Sequence, residues 1–365
     1  MSDIAVQGTP ERGITGRCDG GERSRGRVVR AWVGLAVLVG LTVPLAVASP
    51  AAAYDDPAHA YVTNIDDDTV SVIDTKTNAV TTTIPVGDYP IGVAITPKGG
   101  RAYVADNRGD SVSVIDTRTN TVTTTIPVGD GPFNVAITPK GDRAYVTNFA
   151  ADSVSVIDTR TNTVTTTIPV GDGPFDVAVT PEGDRAYVTN DLDDTLSVID
   201  TKTNTVTTTI PSGGDGPGHL AITPNGQRIY VTNASSDNVS VISTRTNAVI
   251  TTVPAGDLPN GVGITPNGQR AYVTNLNSGT VSVIDTKTNA VTTTIPVGTW
   301  PRGVAFTPKG DRAYIANQLD NTVSVIDTRT NTVTTTIPVG DAPNGVAITP
   351  RTVAKPNSPN SSTSS

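Results

Sequence analysis

The chain has 365 residues, of which 36% are apolar, 4% aromatic and 16% charged, the last well under the ~25% of an ordinary soluble domain. Thirty-four acidic against 26 basic residues give a formal charge of -8, so bulk charge offers no footing for a nucleic-acid binder that tracks phosphates. A single cysteine, Cys18, excludes an internal disulfide, and two histidines are too few for a Cys/His zinc cluster.

At the N-terminus Arg23, Arg25, Arg27 and Arg30 precede an uncharged stretch over 31–48, and Ala51-Ala52-Ala53 follows. A basic flank, an apolar segment and a small-x-small site is the order of a secretory signal peptide. The stretch is long enough to weigh as a membrane anchor, but Pro44 near its end and the alanine site beyond it favour cleavage before Tyr54. No arginine pair precedes it, so nothing supports a twin-arginine route. Residues 1–53 are read as a signal peptide and the mature protein as extracytoplasmic, secreted or at the cell surface. Loss of Cys18 with the leader suits an oxidising exterior.

Beyond Tyr54 one unit recurs. Its tyrosines fall at Tyr61, Tyr103, Tyr145, Tyr187, Tyr230, Tyr272 and Tyr314, spaced 42, 42, 42, 43, 42 and 42, with the extra residue from the Gly213-Gly214 pair. A period of this size with several short strands per unit is the signature of a propeller blade. In the third unit the β-like runs are 135–138, 143–148, 153–158 and 163–168, here called A, B, C and D. Thr138-Pro139-Lys140-Gly141 has proline at the second turn position and glycine at the fourth. Asp158-Thr159-Arg160-Thr161-Asn162 offers an aspartate that can bond its own backbone and an asparagine that tolerates positive φ. Both predict tight hairpins and antiparallel strands; helical periodicity is absent.

Strand A carries a small residue at Ala94, Ala136, Ala178, Ala221, Gly263, Ala305 and Ala347, as a crowded propeller centre requires. Strand D is threonine-rich and ends in Ile-Pro, which suits an outer edge because proline cannot donate to a ladder. The chain enters at a B strand (60–64) and the repeats end on an A strand (345–349). The last A strand is therefore expected to pair with the first B strand and close the ring. The expected architecture is all-β: a seven-bladed propeller of four-stranded antiparallel blades over 54–350, followed by a disordered Ser/Asn/Pro-rich tail over 351–365.

Tyr-Val-Thr-Asn followed by Thr-Val-Ser-Val-Ile-Asp-Thr and Thr-Thr-Ile-Pro-Val-Gly resembles the YVTN-type β-propeller repeat family over about residues 57 to 350. The resemblance implies an exported seven-bladed propeller and no particular activity. Ala105 and Ala316 depart from the motif threonine, Asp106 from its asparagine, Ser243 from the turn aspartate, and His59 from an arginine present in the other six copies.

The copies differ mainly in two places, the D–A junctions and the B–C loops, which an A-B-C-D blade places on one face. A uniform scaffold with diversified loops around a concavity is how binding sites are built. The candidate ligand-binding residues are Tyr89, Ile91, Phe133, Asn134, Phe175, Asp176, His219, Leu258, Asn260, Trp300, Arg302 and Asn344. The basic positions of the opposite face (Lys76, Arg118, Arg160, Lys202, Arg245, Lys287 and Arg329) read as solvated surface balanced by aspartates. Asp66-Asp67-Asp68 and 191–194 lack the spacing of a calcium loop and read as turns. No catalytic residue, metal or cofactor is assigned.

The sequence thus reads as an exported, monomeric binding module for a protein, peptide or glycan partner, with no nucleic acid and no membrane contact after signal cleavage. One alternative is a propeller enzyme of lactonase or lyase type, for which Asp176, His219 and Arg302 are the available set. A lone histidine serves acid–base chemistry only with a partner in hydrogen-bond reach. The other alternative is a structural cell-envelope component.

Overall fold

The computed structural model describes residues 58–350, so the signal-peptide and tail expectations lie outside the described residues. Twenty-eight strands form seven four-stranded antiparallel sheets with the order A-B-C-D from the axis outward. A strands of successive blades touch around the axis, while D strands meet little. Blade 1 takes its A strand, Pro343–Ile348, from the far end of the repeats and pairs it with His59–Asn64, in register Tyr61↔Ala347 and Val62↔Val346. The ring closes as expected.

The turns behave as their residues dictate. Gly141 N–H donates to the Thr138 carbonyl at 2.8 Å. Asp158 Oδ1 accepts from the N–H groups of Arg160 (2.8 Å) and Thr161 (3.0 Å), and Asn162 sits at φ 55°. The main departure is at strand A. In blade 3 it runs Pro132–Ile137, earlier than the sequence run at 135, because the ladder pairs Pro132 with Asn148 and Val135 with Val146. Two residues, Phe133 and Asn134, therefore oppose Thr147 alone. All seven A strands carry this bulge, which lifts two side chains per blade out of the ladder and bends the strand at the axis.

The Tyr-Val-Thr-Asn motif stitches blade to blade. The tyrosine is buried and its hydroxyl donates to the turn asparagine of the next blade, Tyr145 to Asn204 at 2.7 Å and, across the closure, Tyr314 to Asn78 at 2.6 Å. Two residues before it an arginine donates to a carbonyl of the same turn, as Arg101 does to Thr159 and Arg312 to Thr75, each at 2.5 Å. The threonine clamps the bulges: Thr189 Oγ1 accepts from Asp176 N–H at 3.0 Å and donates to the Gly218 carbonyl of blade 5 at 2.7 Å. The asparagine holds its own strand C, Asn148 Nδ2 donating to Ser153 and Ser155.

The core lies between sheets rather than within them. Tyr145, Val154, Val156 and Ile168 of blade 3 pack on Val177, Ala186, Val188 and Ile199 of blade 4, and the same pattern repeats around the ring. Between blades 7 and 1, Tyr314, Val323, Val325 and Ile337 meet Ala60, Val62 and Ile73. Each blade is thus stable only through its two neighbours.

Candidate functional site

The bulged pairs project two rings of residues at the axis. The first ring is Ile91, Phe133, Phe175, Gly218, Asn260, Arg302 and Asn344; the second is Gly92, Asn134, Asp176, His219, Gly261, Gly303 and Gly345. The second ring explains the shape of the channel. A Cβ on Gly261 would stand 2.3 Å from the Arg302 carbonyl, on Gly303 2.5 Å from that of Asn344, and on Gly345 2.4 Å from that of Ile91. Backbone fills these sides, and within the second ring polar side chains come only from the adjoining blades 3, 4 and 5. Gly263, at one of the small positions expected from the sequence, is crowded as well, its Cβ falling 3.1 Å from the Phe306 ring.

The three polar residues form one connected arc. Asp176 Oδ1 accepts from Asn134 Nδ2 at 2.6 Å and from its neighbour Val177 N–H at 2.7 Å. Its Oδ2 accepts from Leu220 N–H at 3.0 Å and meets His219 Nδ1 at 3.0 Å. A carboxylate surrounded by donors fixes the imidazole tautomer, with the proton on Nδ1 and a free lone pair on Nε2. The Asp176 side chain is 9% exposed and that of His219 18%, so the pair is largely shielded yet open to a small molecule. A cavity of about 140 Å³ lies over it, lined also by Asn344, Ile91, the four ring glycines and valines below them.

An aromatic wall stands beside this arc. Phe133 and Phe175 have centroids 4.1 Å apart, Phe149 lies 6.0 Å from Phe133, and Phe175 meets the His219 ring edge-on at 5.1 Å. Phe149 comes from a B–C loop and is not among the candidate residues; neither are the ring glycines, which lining up the seven copies at the bulge shows. The other two candidate aromatics stand apart. Tyr89 lies under Arg108 (4.0 Å) and Trp300 under Arg302 (5.4 Å), so the four aromatics do not make one ring.

Tyr89, Leu258 and Trp300 occupy the junction position before the A-strand proline, at φ 60°, 56° and 53°, where blades 3, 4 and 5 have glycine. Large side chains in this region are strained. Tyr89 and Leu258 are held by the preceding B–C loop, Asp68 Oδ1 accepting from Tyr89 N–H and Asp237 Oδ1 from Leu258 N–H, each at 2.9 Å. Arg302 donates Nε to Gln318 Oε1 at 2.7 Å, and burial pulls its guanidinium pKa down; it does not line the cavity over His219. Asn260 is buried, and Thr232 holds its carbonyl at 2.7 Å. The acidic loops serve the backbone: Asp67 accepts from Asp341 N–H, Asp193 from Asp172 N–H and Asp194 from Gly216 N–H. Among the described residues no cluster of His, Cys, Asp or Glu has the geometry to hold a metal.

Fold and site together define a closed seven-bladed propeller with an Asp–His pair where its inner strands meet. Comparison of the sequence with known families matches the lactonase, 7-bladed beta-propeller family at residues 93–255, 129–293 and 259–344, and a YNCE-like beta-propeller at 26–142. The chain belongs to the lactonase seven-bladed β-propeller family. Among solved structures it is similar to the hydrazine synthase of Kuenenia stuttgartiensis (25% identity over 73% of this chain and 92% of that one, TM-score 0.68). It is also similar to a putative 6-phosphogluconolactonase from Bacteroides uniformis ATCC 8492 (17% identity, 80% and 99% coverage, TM-score 0.69). A third likeness is to dihydro-heme d1 dehydrogenase NirN in complex with DHE (15% identity, 79% and 74%, TM-score 0.62). The last two show the fold alone. No curated protein matches the chain.

Membership of a lactonase family overturns the binding-module expectation and favours the enzyme alternative. The physical reason for the error is specific. His219 was discounted as a lone histidine, but folding brings Asp176, 43 positions away, to 3.0 Å from its ring.

Proposed function

We propose that the protein is a hydrolase that opens a small lactone ring at the channel mouth, with His219 as general base and Asp176 as its positioning partner. The observation that carries this is the His219 Nδ1–Asp176 hydrogen bond at the floor of the cavity. Nε2 takes a proton from water as the oxygen adds to the lactone carbonyl carbon. The ring C–O bond then breaks, and the leaving alkoxide recovers the proton from Nε2. Lactone and water become one hydroxy acid. Asp176 stabilises the transient imidazolium and keeps the ring oriented.

The cavity selects for size. Its 140 Å³ is well below the ~300–1,000 Å³ of pockets for drug-sized ligands, which supports a single-ring substrate, with Ile91, Val93, Val262 and Val304 offering it an apolar side. The basic leader, apolar run and alanine site support action outside the cytoplasm, and the Tyr-Val-Thr-Asn cores support YVTN-type blades.

The test is hydrolysis of a panel of γ- and δ-lactones by the wild type, His219→Ala and Asp176→Asn. Loss of kcat/KM by about 10²–10⁴-fold in His219→Ala is expected for removal of a general base, with folding unchanged by circular dichroism. Turnover that survives His219→Ala, or no hydrolysis of any lactone, would overturn the assignment.

A further inference from the structure

On the face opposite the channel mouth, the A–B turns of adjacent blades stack, and clefts open between them. Gly141 of blade 3 rests against Pro97 of blade 2, where a Cβ would lie 3.1 Å from the proline ring. Two of these clefts have nearly the same size, but one is charge-balanced and the other cationic. The cleft between blades 3 and 4, about 340 Å³, is lined by Lys140, Arg143 and Lys202 but also by Asp142, Glu182 and Asp184. The cleft between blades 2 and 3, about 360 Å³, is lined by Lys98, Arg101 and Lys140, with no carboxylate at all.

The difference traces to two positions: Lys140 stands where blade 4 has Glu182, and Gly100 where blade 3 has aspartate. Asp142, Asp184 and Asp311 precede the motif arginine in blades 3, 4 and 7; in blade 2 that position is Gly100. Asp142 does not compensate, since it is tied to Thr138 Oγ1 at 2.6 Å and lines the neighbouring cleft. Asp158 is held by the N–H groups of its own turn and lies 4.0 Å from Arg160. Among the described residues, no carboxylate forms an ion pair with Lys98, Arg101 or Lys140.

Three unpaired cations converging on one concavity, in a chain of net charge -8, are an arrangement that self-repulsion disfavours unless an anion neutralises it. We propose that this cleft is a binding site for a phosphate-class oxyanion. Two ammonium groups supply three donors each. Arg101, whose Nη1 is engaged by the Thr159 carbonyl, adds its charge and its remaining N–H groups. The cleft is larger than the mouth cavity, which suits a diphosphate better than a single phosphate. It lies on the face away from His219, so the proposal stands or falls independently of lactone chemistry.

Gly100 provides the decisive variant. It is exposed, and a Cβ there would meet nothing within 4 Å, so Gly100→Asp installs the residue of the sister blades without steric cost. Pyrophosphate is titrated into the full chain at low ionic strength, with binding followed by calorimetry and folding by circular dichroism. The expected result is saturable one-to-one binding, weakened about tenfold or more in Gly100→Asp and in the exposed double variant Lys98→Ala/Lys140→Ala, as loss of charge-assisted bonds implies, and unchanged in Lys202→Ala. The proposal is overturned if pyrophosphate does not saturate the wild type, if both cleft variants bind as the wild type does, or if Lys202→Ala loses as much as they do.

Discussion

Replacing Asp106 by asparagine should stabilise the propeller at neutral pH and leave it almost unchanged in mild acid. Asp106 holds the motif asparagine position of blade 2 and is fully buried. Its Oδ2 accepts from Ser113 Oγ at 2.7 Å and from Ser111 Oγ at 3.4 Å, while Oδ1 has no partner. Burial pushes the carboxyl up to about 6, against the pull of those hydroxyls and nearby N–H groups. An unfolded aspartate titrates near ~3.9, so the folded protein binds the proton more tightly. Stability is then fully present below about pH 4 and falls as pH rises through 6, by about 3 kcal/mol at pH 7. For a domain of this size that is a melting shift of roughly 5 °C. Asparagine has the same shape, and its Nδ2 can donate to both serines as Asn148 does to Ser153 and Ser155. Scanning calorimetry of wild type and Asp106→Asn at pH 4 and pH 7 measures the gap, and other titrating groups cancel in the difference. A gap that is equal at the two pH values, or a variant less stable at pH 7, would refute the reasoning.

Three further outcomes are expected. Gly303→Ala should cost about 1–3 kcal/mol by overpacking, because its Cβ would meet the Asn344 carbonyl at 2.5 Å; denaturant melts check this, and an unchanged midpoint would contradict the packing of the glycine ring. Thr189→Val keeps the shape but removes the clamp on Asp176 N–H and the Gly218 carbonyl. It should cost about 1–3 kcal/mol for buried groups left unpaired and slow lactone turnover through Asp176. Truncation before Pro343 removes the inner strand of blade 1 and bares the edge His59–Asn64, so light scattering should show association and the melting temperature should fall. A truncated chain that stays monomeric and melts like the wild type would argue against closure by that strand.

The architecture was legible in the linear sequence because its determinants are local and repeated. Tyr61 to Tyr314 set the blade period, Pro139-Lys140-Gly141 and the Asp158–Asn162 turn set the hairpins, and the unpaired end fragments set the closure; each works within a few residues or by simple counting. The site was legible only as a list. That Phe133, Asn134, Phe175, Asp176 and His219 belong together depends on the bulge in every A strand, which shifts the pairing by one residue just where these side chains leave the ladder. The pairings of His219 with Asp176 and of Asp176 with Asn134 are contacts between different blades. So is the loss of balancing charge at Gly100, which is a small residue in a turn until Lys98, Arg101 and Lys140 are seen to share one cleft. Local chemistry determines strands and turns; which side chains meet across a ring axis is decided by how seven sheets pack, since only that packing brings residues 40 or more positions apart within hydrogen-bond reach.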